Sequence, residues 1–258
     1  MVISLFICLS CNFKLGDGDD DSGSLVEIQR YDRIESRYLT TGDFSSLQQM
    51  STDYPVETRM LIEDVLKLGR VDEQDINSKL LLFYRDSTLQ SIIRDAEEQY
   101  ASVDDLNAGF SKAFANLRSW LPDLQIPVIY AQICALDQSI IVGDGIVAIS
   151  LDKYLGSDYP LYKKFYSDEQ RLTMTRDDII PDALCFYLLS KHHLSNFDAR
   201  PQIDRDLHVG KIHWVVNKAI EKNHFHSDYV KMIEDYMTQK QDLTISELMS
   251  LTDYSIFQ

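Results

Sequence analysis

Two β-branched, apolar runs between Ile126 and Leu151 constrain this chain more than any other feature. IPVIYAQICA (Ile126 to Ala135) and QSIIVGDGIVAISL (Gln138 to Leu151) are rich in residues whose branched Cβ suits a pleated strand. Gly143-Asp144-Gly145 splits the second run. The pattern predicts two or three strands of an antiparallel meander, turning at Leu136-Asp137 and again at the Gly-Asp-Gly. Gly143 to Ala148 also fits a loose GxGxxA phosphate loop, but it leads into a strand-like segment where such a loop needs a helix. It reads as a hairpin turn.

The rest of the chain is helical in pattern. Leu25 to Leu39 (LVEIQRYDRIESRYL) alternates an apolar face with a charged one at helical spacing. Asp43 to Met50 follows and stops before Pro55, which disfavours helix in the residue preceding it. Val56 to Leu68, Ile76 to Phe83, Ser87 to Tyr100 and Val103 to Trp120 continue the pattern as far as Pro122. After the strand-like runs, helices are predicted at Leu151 to Leu155, Thr175 to His193, Leu207 to Asn223, Asp228 to Gln239 and Thr244 to Leu251. Thr175 with Asp178 forms a start resembling a capping box, and Pro181 belongs in the first turn that follows. The predicted class is α+β, mostly helical, with a small central antiparallel or mixed sheet.

The N-terminus carries a different signal. An apolar run, Met1 to Leu9, meets Ser10-Cys11 and then an acidic, glycine-rich stretch. A small residue followed by cysteine after an apolar segment is the pattern a lipid-attaching signal peptidase reads, with Cys11 as acceptor and Cys8 as rival. The other reading is a buried first strand, Val2 to Leu9. The run is too short to span a membrane, which takes about 20 apolar residues. The expected division is a lipoprotein signal peptide over 1–10, a lipidated flexible acidic tether over 11–24, and one globular domain over 25–258. The acidic segment Gly16 to Ser24, soon after the expected lipidated cysteine, resembles the signal that carries Bacteroidetes lipoproteins to the outer face of the outer membrane.

Charge excludes one class of partner. Forty-one acidic residues against 25 basic leave a formal charge of −16, which repels phosphate backbones, so no nucleic-acid partner is expected. Cys134 and Cys185 lie in apolar runs, where isolated cysteines behave as small hydrophobes, and are expected to stay unpaired.

No catalytic constellation emerges. The six histidines, His192, His193, His208, His213, His224 and His226, form no HExxH, and His208 and His213 are spaced to diverge around a helix. No GxSxG elbow or P-loop is present, and apart from Cys8 and Cys11 of the N-terminal signal no CxxC occurs. Asp137, Asp144 and Asp152 flank the strands and could supply paired carboxylates, although turn and cap chemistry accounts for each of them. No metal, cofactor or catalytic residue is assigned.

The stretch Ile146-Val-Ala-Ile-Ser-Leu-Asp-Lys-Tyr-Leu-Gly156, with Tyr159-Pro160 and Tyr162 after it, resembles the gliding-motility-associated lipoprotein GldB family of Bacteroidetes. Tyr31-Asp32, Tyr54-Pro55, Trp120-Leu121-Pro122, Ile180-Pro181-Asp182 and Gly210-Lys211 agree with that family in order. The resemblance implies an envelope lipoprotein of the gliding and secretion machinery, without established catalysis. It also brings to mind zinc proteases in which a strand precedes the metal-binding helix. Thr175 to His193 would be that helix, yet its middle carries no histidine, which implies a degenerate, metal-free zincin-like arrangement.

The expected function is therefore a lipid-anchored, non-enzymatic envelope protein that binds other envelope proteins. Its membrane contact would be the lipid anchor, and its location the cell envelope, at the outer membrane. Candidate partner-binding residues are Tyr154, Tyr159, Tyr162, Phe165 and Tyr166, because aromatic side chains bury large areas at interfaces for little entropic loss. Two alternatives stand beside this reading. One is a divergent metallopeptidase using His192, His193 or His208; the other is a glycan- or nutrient-binding lipoprotein using Trp120, Trp214 and exposed tyrosines.

Overall fold

The computed structural model describes residues 25–257, so the expected signal peptide, Cys11 and the expected tether lie outside the described residues. The N-terminal half is helical: α1 (Tyr31–Thr41), α2 (Phe44–Thr52), α3 (Pro55–Arg59, continued by a π-helical turn Met60–Val65), α4 (Ile76–Phe83), α5 (Ser87–Gln99) and α6 (Asp104–Trp120). Side-chain caps start several of them. Asp43 accepts the N–H groups of Ser45 and Ser46, and Asp86 those of Thr88 and Leu89, which satisfies donors that a helix start leaves free.

The first helix begins six residues later than its amphipathic pattern suggests. Residues 25–30 run extended instead, with Gln29 bridged to Tyr130 in parallel. Val26 N–H donates to Ser111 Oγ at 2.9 Å and Ile28 N–H to Asn107 Oδ1 at 2.9 Å. Tertiary hydrogen bonds thus override a local helical preference.

The strands β1 (Val128–Gln132), β2 (Ile140–Val142) and β3 (Ile146–Ser150) form one sheet in the order β1-β3-β2. Residues 143–145 make the β2–β3 hairpin turn, with Gly145 at φ 71°, a conformation open to glycine. The meander expectation fails at β1. That strand pairs in parallel with β3, Val128 against Ile146 through Gln132 against Ser150, and β2 lies on the far side. The sheet is mixed.

Beyond β3, residues 151–153 make a single 3-10 turn rather than the expected helix. Two four-residue helices, α7 (Tyr162–Phe165) and α8 (Asp168–Arg171), lead to α9 (Ile179–Lys191). Thr175 and Asp178 do form a capping box, and Pro181 sits in the first turn of α9, where its missing N–H costs no hydrogen bond. α10 (Gln202–Ala219), α11 (Asp228–Gln239) and α12 (Ile245–Ser250) complete the chain.

α1 covers one face of the sheet, its Tyr31 ring meeting Tyr130 edge-on at 6.1 Å, and α9 packs against β2 and β3. α10 lies against α9 and α6 and carries α11 and α12. Cys134 and Cys185 are buried and unpaired. Among the described residues, no helix is long and apolar enough to cross a membrane.

Candidate functional site

The stretch Leu151-Asp-Lys-Tyr-Leu-Gly156 leaves the C-terminal end of β3 and turns into the protein. Asp152 is wholly buried. Its Oδ1 accepts the Cys134 N–H at 3.1 Å and its Oδ2 the Leu136 N–H at 2.6 Å, so the carboxylate clamps the loop that leaves β1. Ala135 and Leu136 in that loop have φ 55° and 65°, a left-handed conformation that costs non-glycine residues of order 1–3 kcal/mol each. The carboxylate holds the strained segment in place. Sequence reading placed Asp152 as a helix cap; its actual role is this internal clamp.

A second acid completes the cluster. Glu35 of α1 is fully buried, and its Oε2 accepts the Ile133 N–H at 2.9 Å. Tyr84 donates its hydroxyl to the Ile133 carbonyl at 2.7 Å. Burial, reinforced by the neighbouring Asp152 and Asp32, pushes the Glu35 carboxyl well above the usual glutamate range despite the bond from Ile133. The Asp152 carboxyl is also raised by burial, against the opposing effect of its N–H donors. Burial thus favours the neutral form of Glu35. Its contribution to stability is complete below the ordinary glutamate value of 4.5 and is lost as pH climbs toward its raised folded value. Glu35→Gln should gain stability over wild type progressively as pH rises above 4.5, read as the difference in urea midpoint. A difference independent of pH would contradict this.

Tyr154 extends the same network toward α9. Its hydroxyl donates to Asp182 Oδ2 at 2.9 Å, and its carbonyl accepts the Tyr100 hydroxyl at 2.5 Å. Burial lifts the Asp182 carboxyl to about 6, while the bond from Tyr154 opposes the rise. Tyr162 donates to the Asp152 carbonyl and accepts the Leu155 N–H, so it closes the chain back on itself. Tyr159 donates to Asp95 on α5 at 2.8 Å, and Tyr166 to the Leu136 carbonyl at 3.1 Å. The rings of Tyr159, Tyr162 and Tyr166 pack edge to face in series, with centroids 4.9 Å and 5.7 Å apart.

The five aromatic candidates therefore occupy different positions. Tyr154 and Tyr162 are buried and spend their hydroxyls inside the fold, while Tyr159 and Tyr166 are half-buried. Phe165 is 66% exposed, and Leu172, just past α8, is 69% exposed. Sequence reading missed Leu172. Its signal was available: a lone leucine directly after the all-polar run Ser167-Asp168-Glu169-Gln170-Arg171.

The histidine and tryptophan alternatives are dispersed. His208 is buried with Nδ1 2.7 Å from the Tyr254 hydroxyl, whereas His192 is half-buried and His193 exposed. Among the described residues, no group of three or more His, Cys, Asp or Glu side chains is placed to hold a metal. Trp214 is buried and donates its indole N–H to Glu234, and Lys218 lies over its ring at 5.0 Å. Trp120 is half-buried against the core.

Residues of two of the shared motifs named above, Tyr31-Asp32 and Ile180-Pro181-Asp182, contribute to this interior. Asp32 pairs with Arg30 at 2.7 Å, and Arg30 and Arg33 both donate to the Tyr100 carbonyl. Ile180 closes on Gly109 of α6, and Asp182 anchors Tyr154. Comparison with curated proteins and with solved structures finds no match. A family model does match, over residues 19–227, and on that basis the chain belongs to the gliding motility protein GldB family.

Proposed function

We propose that this chain is a lipid-anchored protein of the cell envelope, attached through Cys11 at the outer membrane, which works without catalysis by binding other envelope proteins. The docking element, or tip, in this reading is the α7–α8 segment, which exposes Phe165 and Leu172 and leaves Tyr159 and Tyr166 half-buried. The carrying observation is the contrast within one segment. Residues 152–166 are tied down by Asp152, Tyr154, Tyr159, Tyr162 and Tyr166, yet the same segment holds Phe165 out to solvent. A rigid support under an exposed aromatic lowers the ordering cost of binding, the usual basis of an interface anchor.

Family membership supports the envelope setting. Nothing observed favours the peptidase or glycan reading. The α9 positions where a peptidase would present ligands hold Asp182 turned to Tyr154 and Cys185, a buried thiol that burial raises to about 12.

A photoactivatable phenylalanine analogue at position 165 of the full-length lipoprotein tests the docking surface. The expected outcome is a discrete adduct in intact cells that is absent when the analogue replaces the exposed Leu82 on α4. Equal labelling from both positions would sink the assignment of the tip.

A further inference from the structure

Gly210-Lys211 on α10 receives a part of the chain that lies beyond the family match. α11, α12 and the closing turn Ser255–Phe257 all follow residue 227. Lys211 is 1% exposed. Its Nζ donates to the Leu251 carbonyl at 2.8 Å and to the Met249 carbonyl at 3.3 Å, and it lies 5.2 Å from the centre of the Tyr254 ring. Among the described residues it makes no ion pair. Arg200 adds a second cation, donating to the Thr252 carbonyl at 3.3 Å. The C-terminal segment is thus held through its backbone carbonyls by two positive charges.

His208 sits one turn before Lys211 on the same helix. It is 3% exposed, with Nδ1 2.7 Å from the Tyr254 hydroxyl and Nε2 without a partner. The charged and titratable groups around it are Lys211 and Asp204 on α10, Arg200 just before it, His192 and His193 at the end of α9, and Tyr254 on the clasped segment. Asp204 is the one carboxylate in this set, and Arg200 pairs with it at 3.5 Å. A proton on His208 would therefore add a third positive charge to a buried site whose single acid is already engaged.

We propose that residues 244–257 form an acid-released clasp, which detaches from α10 when His208 takes up a proton while the rest of the domain stays folded. At neutral pH the imidazole is neutral and the Tyr254 hydroxyl completes it. Burial first, then the Lys211 charge, hold the imidazole down at about 4 against its ordinary 6.5. The His192 backbone opposes that fall, and the contribution of His208 to closure is complete above 6.5 and is lost as pH falls toward 4.

Hydrogen exchange of the full-length protein, corrected for intrinsic rates, tests this at pH 7.5 and pH 5.0. From the same two values, the opening constant of a peptide spanning residues 244–257 should rise roughly 30-fold at the lower pH, with no such rise in peptides from α5 and α6. His208→Gln keeps a hydrogen-bonding group toward Tyr254 and takes no proton, so the pH step should vanish. His208→Leu serves if the Gln variant does not fold, and it too must lose the step. Equal protection of 244–257 at both pH values in wild type would overturn the proposal. So would a step that persists in the folded variant.

Discussion

Asp152→Ala is expected to destabilise the protein by about 3–5 kcal/mol, the largest effect of any substitution considered. It removes both acceptors from the Cys134 and Leu136 N–H groups, which are 3.1 Å and 2.6 Å from the carboxylate. Each buried donor left alone costs roughly 1–3 kcal/mol. The same carboxylate holds Ala135 and Leu136 at positive φ, so its loss also frees a strained loop to relax away from the sheet. Tyr84 and Glu35 both bond to the backbone of Ile133, next along that loop, and would lose their register. Asp152→Asn retains one acceptor and should cost about half as much. The check is the urea midpoint at pH 7 together with the near-ultraviolet dichroism of the surrounding tyrosines. A loss under about 1 kcal/mol for the alanine variant would show that the clamp is dispensable.

Gly210→Val is expected to cost roughly 2–3 kcal/mol through a backbone clash. A Cβ at position 210 would lie 2.7 Å from the Tyr229 Cβ and 3.1 Å from its carbonyl carbon, so α10 and α11 must separate to admit it. Gly109 supplies the contrast. A Cβ there would meet the end of the Ile180 side chain at 2.4 Å, and a flexible terminal methyl can turn aside. Gly109→Ala should therefore be near neutral, since alanine also gains up to about 1 kcal/mol of helix propensity over glycine. Thermal unfolding of the two variants side by side separates these cases. Equal destabilisation would contradict the assignment of a backbone clash to Gly210 alone.

Much of this fold is legible from local chemistry. Pro55 opens α3, Thr175 and Asp178 make their capping box, and Gly143 to Gly145 turn the hairpin, because each depends on residues only a few positions apart. What depended on distant partners stayed hidden. The parallel pairing of β1 with β3 leaves no mark in either strand, as both are apolar and β-branched whichever neighbour they take. The helical pattern of Leu25 to Leu39 says nothing of Ser111 and Asn107, whose side chains take the N–H groups of Val26 and Ile28 and keep residues 25–30 extended.

The candidate site was legible as a segment and not as a surface. Tyrosine at 154, 159, 162 and 166 reads equally well as an interface or as packing until Asp182, Asp95, the Asp152 carbonyl and the Leu136 carbonyl are known as hydroxyl acceptors. Only Phe165, which has no hydroxyl to place, remains mostly in solvent among the five. Asp152 read as a cap because an acid after an apolar run resembles a helix start. Its burial is set by a loop 16 residues earlier in the chain.

In the proposed function, the segment after β3 presents Phe165 and Leu172 to a partner. The most direct measurement is recovery of the full-length lipoprotein from crosslinked envelopes, comparing wild type with the double variant Phe165→Ser, Leu172→Ser, with zinc determined in the same eluates. The expected result is a fixed set of envelope subunits with wild type, their loss with the double variant at an unchanged unfolding midpoint, and no stoichiometric zinc. Undiminished recovery with the double variant, or one zinc per chain with no partner, would contradict it.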